Sequence, residues 1–143
     1  MNIQLQLAKP SDLDILVPLV RDYHQFENLD CDEANIRQAI IPLLENNELG
    51  YIWLIKNGHT VIGYIVLCLG YSIEFSGSDA FIDEFFIIQS QRAQGFGKQV
   101  LQLIKQEAKN STSTPCTWKL HATIMPRKAS MHRLASNHGT NIF

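Results

Sequence analysis

Apolar and polar residues alternate in the first segment of the chain. Ile3, Leu5 and Leu7 are separated by glutamines, and this period of two predicts a half-buried β-strand. The period then lengthens, because apolar residues recur at helical spacing from Leu13 to about His24. The chain is therefore expected to begin with a strand that is followed by a helix.

Capping residues and prolines set the expected helix boundaries. Ser11 is the expected N-cap of the first helix, and Asp32 is the expected N-cap of a second helix that follows a polar loop. Pro18 and Pro42 fall inside these two helical patterns. Because a proline removes an N–H donor, the first helix is expected to bend or shorten and the second to weaken at its far end.

From Tyr51 onward the pattern changes to strands. YIWLI and TVIGYIVLCL are apolar runs joined by KNGH, in which Asn57-Gly58 predicts a two-residue hairpin turn. Residues 71–79 are expected to form a loop, and AFIDEFFII, apolar on both faces, a central strand. A helix, the strand CTWKLHATI and a last short helix RKASMHRLASNH are expected to complete the chain.

The predicted order is β-α-α-β-β-β-α-β-α, without an internal repeat. With 143 residues, of which 45% are hydrophobic, the chain is long enough for one domain with a sizeable core. We therefore predict a single α/β (α+β) domain over residues 1–143, with a mixed, mostly antiparallel sheet flanked by helices.

The charge of the chain is unevenly distributed. Its formal net charge is −2, but 7 basic and 14 acidic residues precede Lys109, and 5 basic residues and no acidic ones follow from there. Basic residues with aromatic neighbours do not cluster, so nucleic acid is not an expected partner. The longest apolar stretch, residues 61–69, is too short to span a bilayer, and no membrane association is expected.

The cysteines and the N-terminus bear on the compartment. Cys31, Cys68 and Cys116 are odd in number and form no C-x-x-C pair, so neither a metal site nor a disulfide framework is predicted. The first residues lack the layout of a signal peptide. A reduced, cytoplasmic setting is the expectation.

The segment QRAQGFGKQV carries the candidate chemistry. It follows the predicted central strand and opens a helix, where unpaired N–H groups and the helix dipole favour an anion. Gly95 and Gly97 would let the backbone approach a phosphate closely, and Arg92 and Lys98 would add charged contacts. The spacing matches neither a Walker loop nor a dinucleotide fingerprint. An alternative is that the glycines serve only close packing.

In this context the sequence resembles the GNAT superfamily of acyl-CoA-dependent N-acetyltransferases. Its hallmark, [QR]-x-x-G-x-[GA] after the fourth strand, is satisfied by RAQGFG, and the resemblance extends over about residues 3–124. The stretch DEFFIIQSQRAQGFG is most similar to members that act on polyamines and related small amines. The resemblance implies acetyl-CoA as the cosubstrate and a small-molecule primary amine as the acceptor.

The resemblance also implies which residues contact the cosubstrate. Backbone groups of Phe85, Phe86 and Ile87 would pair with the pantetheine arm, and N–H groups from Ala93 to Lys98 would hold the pyrophosphate. The complete set of expected cofactor-binding residues is Phe85, Phe86, Ile87, Arg92, Ala93, Gln94, Gly95, Phe96, Gly97 and Lys98.

Acyl transfer to an amine needs a proton acceptor, and two carboxylates are candidates. Asp83 and Glu84 are adjacent in the predicted strand and are expected to point to opposite faces, so that only one reaches the substrate. The resemblance places Asp83 on the substrate side, with Glu84 as the alternative. The expected walls of the amine pocket come from the end of the first helix: Tyr23, His24, Phe26 and Glu27.

The C-terminal end departs from the family pattern. Where the family has a tyrosine that protonates the departing thiolate, the aligned residue is Ala135, and the chain stops at Phe143 where a further strand is usual. His132 and His138 are the alternative proton donors. A shortened or altered end would expose a sheet edge, and a homodimer is expected to cover it. The alternative function is a non-catalytic acyl-CoA-binding protein.

Overall fold

The computed structural model describes residues 2–46, 48–73, 77–110 and 119–120. In chain order, the strands and helices are β1 (Ile3–Leu7), α1 (Leu13–Phe26), α2 (Glu33–Glu45), β2 (Gly50–Asn57), β3 (Thr60–Ser72), β4 (Gly77–Ile87), α3 (Phe96–Asn110) and β5 (Lys119–Leu120). Single 3-10 turns precede α1 and follow β4. The predicted order is thus confirmed as far as β5. The predicted last helix lies outside the described residues.

The sheet has the strand order β1-β2-β3-β4-β5. The first three pairings are antiparallel, whereas β5 runs parallel to β4 through the pairs Asp79↔Lys119 and Ala80↔Leu120. The mixed α/β fold class is confirmed. The expected loop at residues 71–79 is shorter than predicted, because β3 continues through Ser72 and β4 begins at Gly77.

The core has two layers, one on each face of the sheet. On one face α3 packs through Phe96, Val100 and Ile104, all of them buried, against the strands. On the other face the apolar stripes of α1 and α2 pack against the opposite side of the same strands. Because β2 and β3 supply both layers, their sequences are apolar at nearly every position.

The expected N-cap of α2 is confirmed, and that of α1 is wrong. Asp32 accepts a hydrogen bond from the backbone N–H of Asn35 at 3.0 Å. Ser11 instead lies inside a 3-10 turn over Pro10–Asp12, where the Lys9 N–H donates to the Asp12 carboxylate at 2.9 Å. Pro10 at the first position of this turn, with its fixed φ, starts the turn two residues early.

Pro18 does not shorten α1, and Pro42 lies near the far end of α2. Pro18 lies in the middle of α1, which continues to Phe26, and Pro42 lies three residues before the end of α2 at Glu45. The loss of one N–H donor in each helix is outweighed by the burial of the apolar stripe on the sheet.

The hairpin between β2 and β3 has the expected two-residue loop, shifted by one position. Asn57 pairs with Thr60, so the loop residues are Gly58 and His59 rather than Asn57 and Gly58. Gly58 adopts a φ of 63°, which favours glycine.

Gly63 of β3 lies in close contact with the backbone at the end of β4. We therefore expect Gly63→Ala to destabilise the fold strongly. A Cβ built on Gly63 would come within 2.0 Å of the Phe86 carbonyl oxygen. We expect a loss of about 2–3 kcal/mol in the free energy of unfolding, because backbone must move to relieve the clash. Gly58→Ala is the control, since nothing lies within 4 Å of its Cβ; its left-handed φ costs about 1 kcal/mol. Urea unfolding measures both, and equal losses would contradict the clash.

Candidate functional site

A β-bulge in β4 sets the direction of the candidate acids. Val66 of β3 pairs with Glu84, and the next residue, Leu67, pairs with Ile82, which leaves Asp83 as an additional residue without a partner. A bulge interrupts the alternation of side chains along a strand. The expectation that Asp83 and Glu84 point to opposite faces assumed a regular strand, and the bulge shows that this assumption is wrong.

A cleft of about 330 Å³ lies where three elements meet: the end of α1, the second half of β4 and the loop that opens α3. It brings together most of the residues expected from the sequence. Its lining consists of Tyr23, Phe26, Glu27, Phe85, Phe86, Ile87, Gln91, Arg92, Ala93, Gly95, Phe96 and Gly97. Of these, only Gln91 was not expected. His24, Asp83, Glu84, Gln94 and Lys98 are not among the lining residues.

The loop before α3 has the geometry of an anion cradle. Ala93 and Gly95 adopt φ angles of 62° and 79°, and α3 begins at Phe96. The N–H groups of the first turn of α3 have no acceptor within the helix. A Cβ built on Gly95 or Gly97 meets no atom of the described residues within 4 Å. Among the described residues, nothing packs against either glycine, and the space in front of both fits the close approach of a phosphate.

Arg92 connects the cradle to α1. Its Nε donates a hydrogen bond to the Ile87 carbonyl at 2.7 Å. Its guanidinium lies 5.0 Å from the ring centroid of Phe26 and 5.1 Å from that of Phe86, which are cation–π distances. The arginine thus crosses the cleft between the strand and the helix.

One edge of β4 pairs with β3 and the other faces β5. Among the described residues, the β4–β5 ladder covers Asp79 and Ala80. The Ile88 N–H donates to Ile62 on the β3 side, and backbone groups alternate between the two edges. Phe85 and Ile87 therefore present backbone groups to the edge that faces away from β3, whereas Phe86 contributes its ring to the cleft.

Glu84 is the centre of a hydrogen-bond network. The Tyr64 hydroxyl donates to its Oε1 at 2.7 Å, and the His24 Nε2 lies 2.7 Å from its Oε2. The other imidazole nitrogen of His24 lies 2.7 Å from the backbone carbonyl of Asp30. The side chains of His24 and Glu84 are each 18% exposed. Both are therefore largely shielded from water but remain accessible beside the cleft.

Two phenols beside this carboxylate stay protonated over the neutral range. Burial, followed by the charges of Glu84, Glu27 and Asp83, raises the pKa of Tyr23 to about 12. Burial, followed by the charge of Glu84 and its hydrogen bond, raises the pKa of Tyr64. Both acids of the bulge act on the same two phenols, so negative charge is concentrated behind the Tyr23 wall of the cleft.

The raised pKa of Tyr23 predicts a loss of stability at high pH. A tyrosine in the unfolded chain ionises near pH 10, whereas Tyr23 in the fold ionises near pH 12, so hydroxide favours the unfolded chain between these values. The contribution is fully present below about pH 10 and is lost as the pH rises to about 12. Between about pH 9 and pH 11.5, we expect the free energy of unfolding, measured with urea, to fall less in Tyr23→Phe than in the parent. An equal fall in both proteins would show that ionisation of Tyr23 is not the cause.

The sequence patterns did not reveal the hydrogen-bond network around Glu84 and His24. Tyr64 lies in an apolar run of β3, and its hydroxyl within that run is the only local signal of a polar partner. Asp30 contributes a backbone carbonyl, which no side-chain pattern can reveal. Gln91 lies in the 3-10 turn after β4, and its position in the cleft depends on how that turn folds back.

Several sequence-based predictions lie outside the described residues. Ala135, His132 and His138, which bear on the proton donor, are among them, and so is the chain end on which the homodimer prediction depends. Within the described part of the chain, no helix is long and apolar enough to cross a membrane, and no group of three or more His, Cys, Asp or Glu residues has a metal-binding arrangement.

Comparisons with known proteins agree with this geometry. The family model described as "Acetyltransferase (GNAT) family" matches residues 13–139. An integron cassette protein from the mobile metagenome of Cole Harbour Salt Marsh is 29% identical, with a TM-score of 0.74 over 98% of this chain and 87% of that one. No curated protein matches the sequence.

Two further solved structures share the fold at lower identity. A possible acetyltransferase from Clostridium difficile 630 is 15% identical, with a TM-score of 0.70 over 100% of this chain and 96% of that one. A predicted acetyltransferase from Clostridium acetobutylicum, solved with acetyl-CoA, is also 15% identical, with a TM-score of 0.64 over 96% of this chain and 100% of that one.

Proposed function

We propose that this chain, which belongs to the acetyltransferase (GNAT) family, transfers the acetyl group of acetyl-CoA to a primary amine of a small cationic molecule. The proposal rests on the cleft. Its lining includes the anion cradle before α3 and Glu27 after α1, and Glu84 lies nearby against His24 of α1. A cosubstrate held at one end and an amine held at the other would meet beside β4.

The cradle has the chemistry that a pyrophosphate requires. The N–H groups from Ala93 to Lys98 and the positive end of the α3 dipole would hold the two phosphates, and the Lys98 ammonium would add charge. The backbone groups of Phe85 and Ile87 that face away from β3 would accept and donate hydrogen bonds to an extended arm. Since the Ile87 carbonyl already accepts from Arg92, an arm that uses this carbonyl would have to share it or displace the arginine.

The acceptor end of the cleft favours a cation. Glu27 lies in its wall, and Asp83 and Glu84 add negative charge behind Tyr23. The carbonyl end of α1 contributes partial negative charge at the same place. The Phe26 ring is 65% exposed and could attract an ammonium group, which would share the ring with the Arg92 guanidinium, 5.0 Å from its centroid. These features support polyamines and related amines as acceptors.

We assign the proton acceptor to Glu84, with Asp83 as the alternative. Bound acetyl-CoA supplies the thioester carbon, at which the N–C bond forms as the C–S bond breaks. An amine is protonated near neutral pH and must give up a proton before its nitrogen can attack. Glu84 is held by Tyr64 and His24 behind the Tyr23 wall of the cleft, from where its carboxylate would take this proton through one water.

An amine panel tests the proposed function. We expect acetyl-CoA together with spermidine, spermine or short diamines to give saturable release of free thiol and an N-acetylated product by mass spectrometry. Amino acids and aminoglycosides belong in the same panel, and N-methylated diamines without a primary amine are the control. Binding of acetyl-CoA without thiol release from any amine would favour the alternative function, a non-catalytic acyl-CoA-binding protein.

A further inference from the structure

His24 has a hydrogen-bonding pattern that fixes the position of its proton. The Asp30 carbonyl, 2.7 Å from Nδ1, can only accept a hydrogen bond. Nδ1 must therefore carry a proton and donate it. In a neutral imidazole this leaves Nε2 with a lone pair, which faces the Oε2 of Glu84 at 2.7 Å.

Two lone pairs do not form a hydrogen bond, so Nε2 and Oε2 are bonded to each other only when a further proton lies between them. An ionised carboxylate only accepts, and the Tyr64 hydroxyl already donates to its Oε1. The arrangement is satisfied either by an imidazolium beside a carboxylate or by a neutral imidazole beside a carboxylic acid. In both cases His24 and Glu84 share one proton besides the one on Nδ1, and this shared proton belongs to the pair rather than to either residue.

The turn after α1 is built to hold this arrangement. Asn28 adopts a left-handed φ of 55°, and the Leu29 N–H donates to the His24 carbonyl at 2.7 Å, which folds the chain back over the helix end. The Asp30 carboxylate accepts hydrogen bonds from the Asp32 N–H at 2.9 Å and from the Asn35 side chain at 2.8 Å. The carbonyl that orients His24 is thus anchored to the start of α2.

We propose that His24 is a positioning residue that orients Glu84 and shares with it the proton taken from the amine, which comes to rest between Nε2 and Oε2. This inference rests on the proposed function. When the pair lacks its proton, two acceptors face each other at 2.7 Å, which makes proton uptake favourable. The pair acts as a base in the form that lacks the shared proton. An ammonium substrate gives one proton to this form before its nitrogen attacks, and the pair returns that proton to solvent after the reaction. The same nitrogen loses a second proton as the N–C bond forms. The departing thiolate takes up one proton, so that the charges balance.

Phenols and carboxylates surround the pair. In the described part of the chain, they are Tyr23 and Glu27 on α1, Asp30 in the turn, Tyr64 on β3 and Asp83 on β4. The two phenols stay protonated at neutral pH, so Tyr64 remains a donor to Glu84.

Three variants test the proposal in the full-length protein. In His24→Gln the side-chain N–H still reaches Glu84 but holds no additional proton. In His24→Asn the amide still reaches the Asp30 carbonyl but leaves Glu84 without this partner. His59→Gln, in the exposed hairpin turn, is the matched control. We expect kcat to fall about 10-fold or more in both His24 variants, with the KM for acetyl-CoA within about 2-fold of the parent, and no change in His59→Gln.

The pH profile separates positioning from a merely structural role. We expect the acid limb of kcat/KM for the amine to move to lower pH in His24→Gln, because Glu84 alone binds the proton less tightly than the pair does. A uniform fall in rate with an unchanged profile would overturn the proposal.

Nitrogen-15 NMR of the imidazoles tests the pair without turnover. We expect His24 Nδ1 to carry a slowly exchanging proton in the parent protein, and Nε2 to lose its proton at neutral pH in Glu84→Gln, where the amide donates instead. A His24 with its proton on Nε2 and none on Nδ1 would overturn the inference even if acetyl transfer is observed. Failure of every amine to be acetylated, with these signals as expected, would count against the proposed function and thus against the catalytic role of the pair.

Discussion

Gly95→Asp is expected to lower the affinity for CoA by about 100-fold or more. Gly95 precedes the first turn of α3 at a φ of 79°, and the space in front of it is open. An aspartate tolerates this backbone conformation but places its carboxylate where the proposed pyrophosphate would lie. A 100-fold loss corresponds to about 2.7 kcal/mol, which like charges at close range readily supply. Isothermal titration calorimetry with CoA measures the change.

Two variants serve as controls for this prediction. Gly58→Asp introduces the same charge at another open glycine with a φ of 63°, in the hairpin turn, and is expected to leave CoA affinity unchanged. Gly95→Asn has nearly the same shape as the aspartate without the charge, and we expect a smaller loss. If Gly95→Asp binds CoA as tightly as Gly58→Asp does, the loop is not the phosphate cradle.

Glu84→Gln is expected to lower kcat/KM for the amine by about 10²–10⁴-fold. The amide oxygen can still accept from Tyr64, and the amide N–H can donate to His24, so the network and the fold are kept. What is lost is the ability to take up a proton. CoA affinity is expected to stay within about 2-fold of the parent, since Glu84 does not line the cleft that carries the cradle. Steady-state kinetics and calorimetry on the same preparation separate the two effects.

Asp83→Asn decides between the two adjacent acids. Asp83 is the additional residue of the β4 bulge. We expect its loss to reduce kcat/KM by about 10-fold or less, through weaker attraction of the cationic amine. A greater loss in Asp83→Asn than in Glu84→Gln would transfer the role of base to Asp83, which is the residue that the family resemblance favours.

The cradle was predictable because its signal is local. Two glycines, the preceding strand and the following helix lie within one short segment, and helix-terminus chemistry follows from that order alone. Val100 and Ile104 repeat at helical spacing, and both are buried. The class of fold was predictable for a similar reason, because the lengths and periods of the apolar segments determine which elements form.

The acid network was not predictable, because its members are distant in sequence. Glu84 lies 60 residues from His24 and 20 residues from Tyr64, and nothing in any single segment pairs them. The bulge at Asp83 had no local signal either, since no glycine or proline lies beside it. One additional residue changed which faces the acids occupy, and alternation alone could not reveal it.

The first residue of a helix was likewise not always predictable from the capping residues. Ser11 satisfies the composition of an N-cap, yet Pro10 starts a 3-10 turn in which Asp12 accepts from the Lys9 N–H. Asp32, with no proline beside it, caps α2 as expected. A capping residue in the sequence therefore predicts that a helix follows. The residue at which the helix begins also depends on backbone restrictions from neighbouring residues such as Pro10.

Calorimetric titration of the unmodified chain with acetyl-CoA tests the central claim most directly. The claim is that the cleft between α1, β4 and α3 binds this cosubstrate through the cradle. We predict saturable binding at one site per chain with a dissociation constant below about 1 mM, weakened by added salt because the contacts are largely ionic. The absence of binding at millimolar acetyl-CoA would contradict both the transferase and the acyl-CoA-binding alternative.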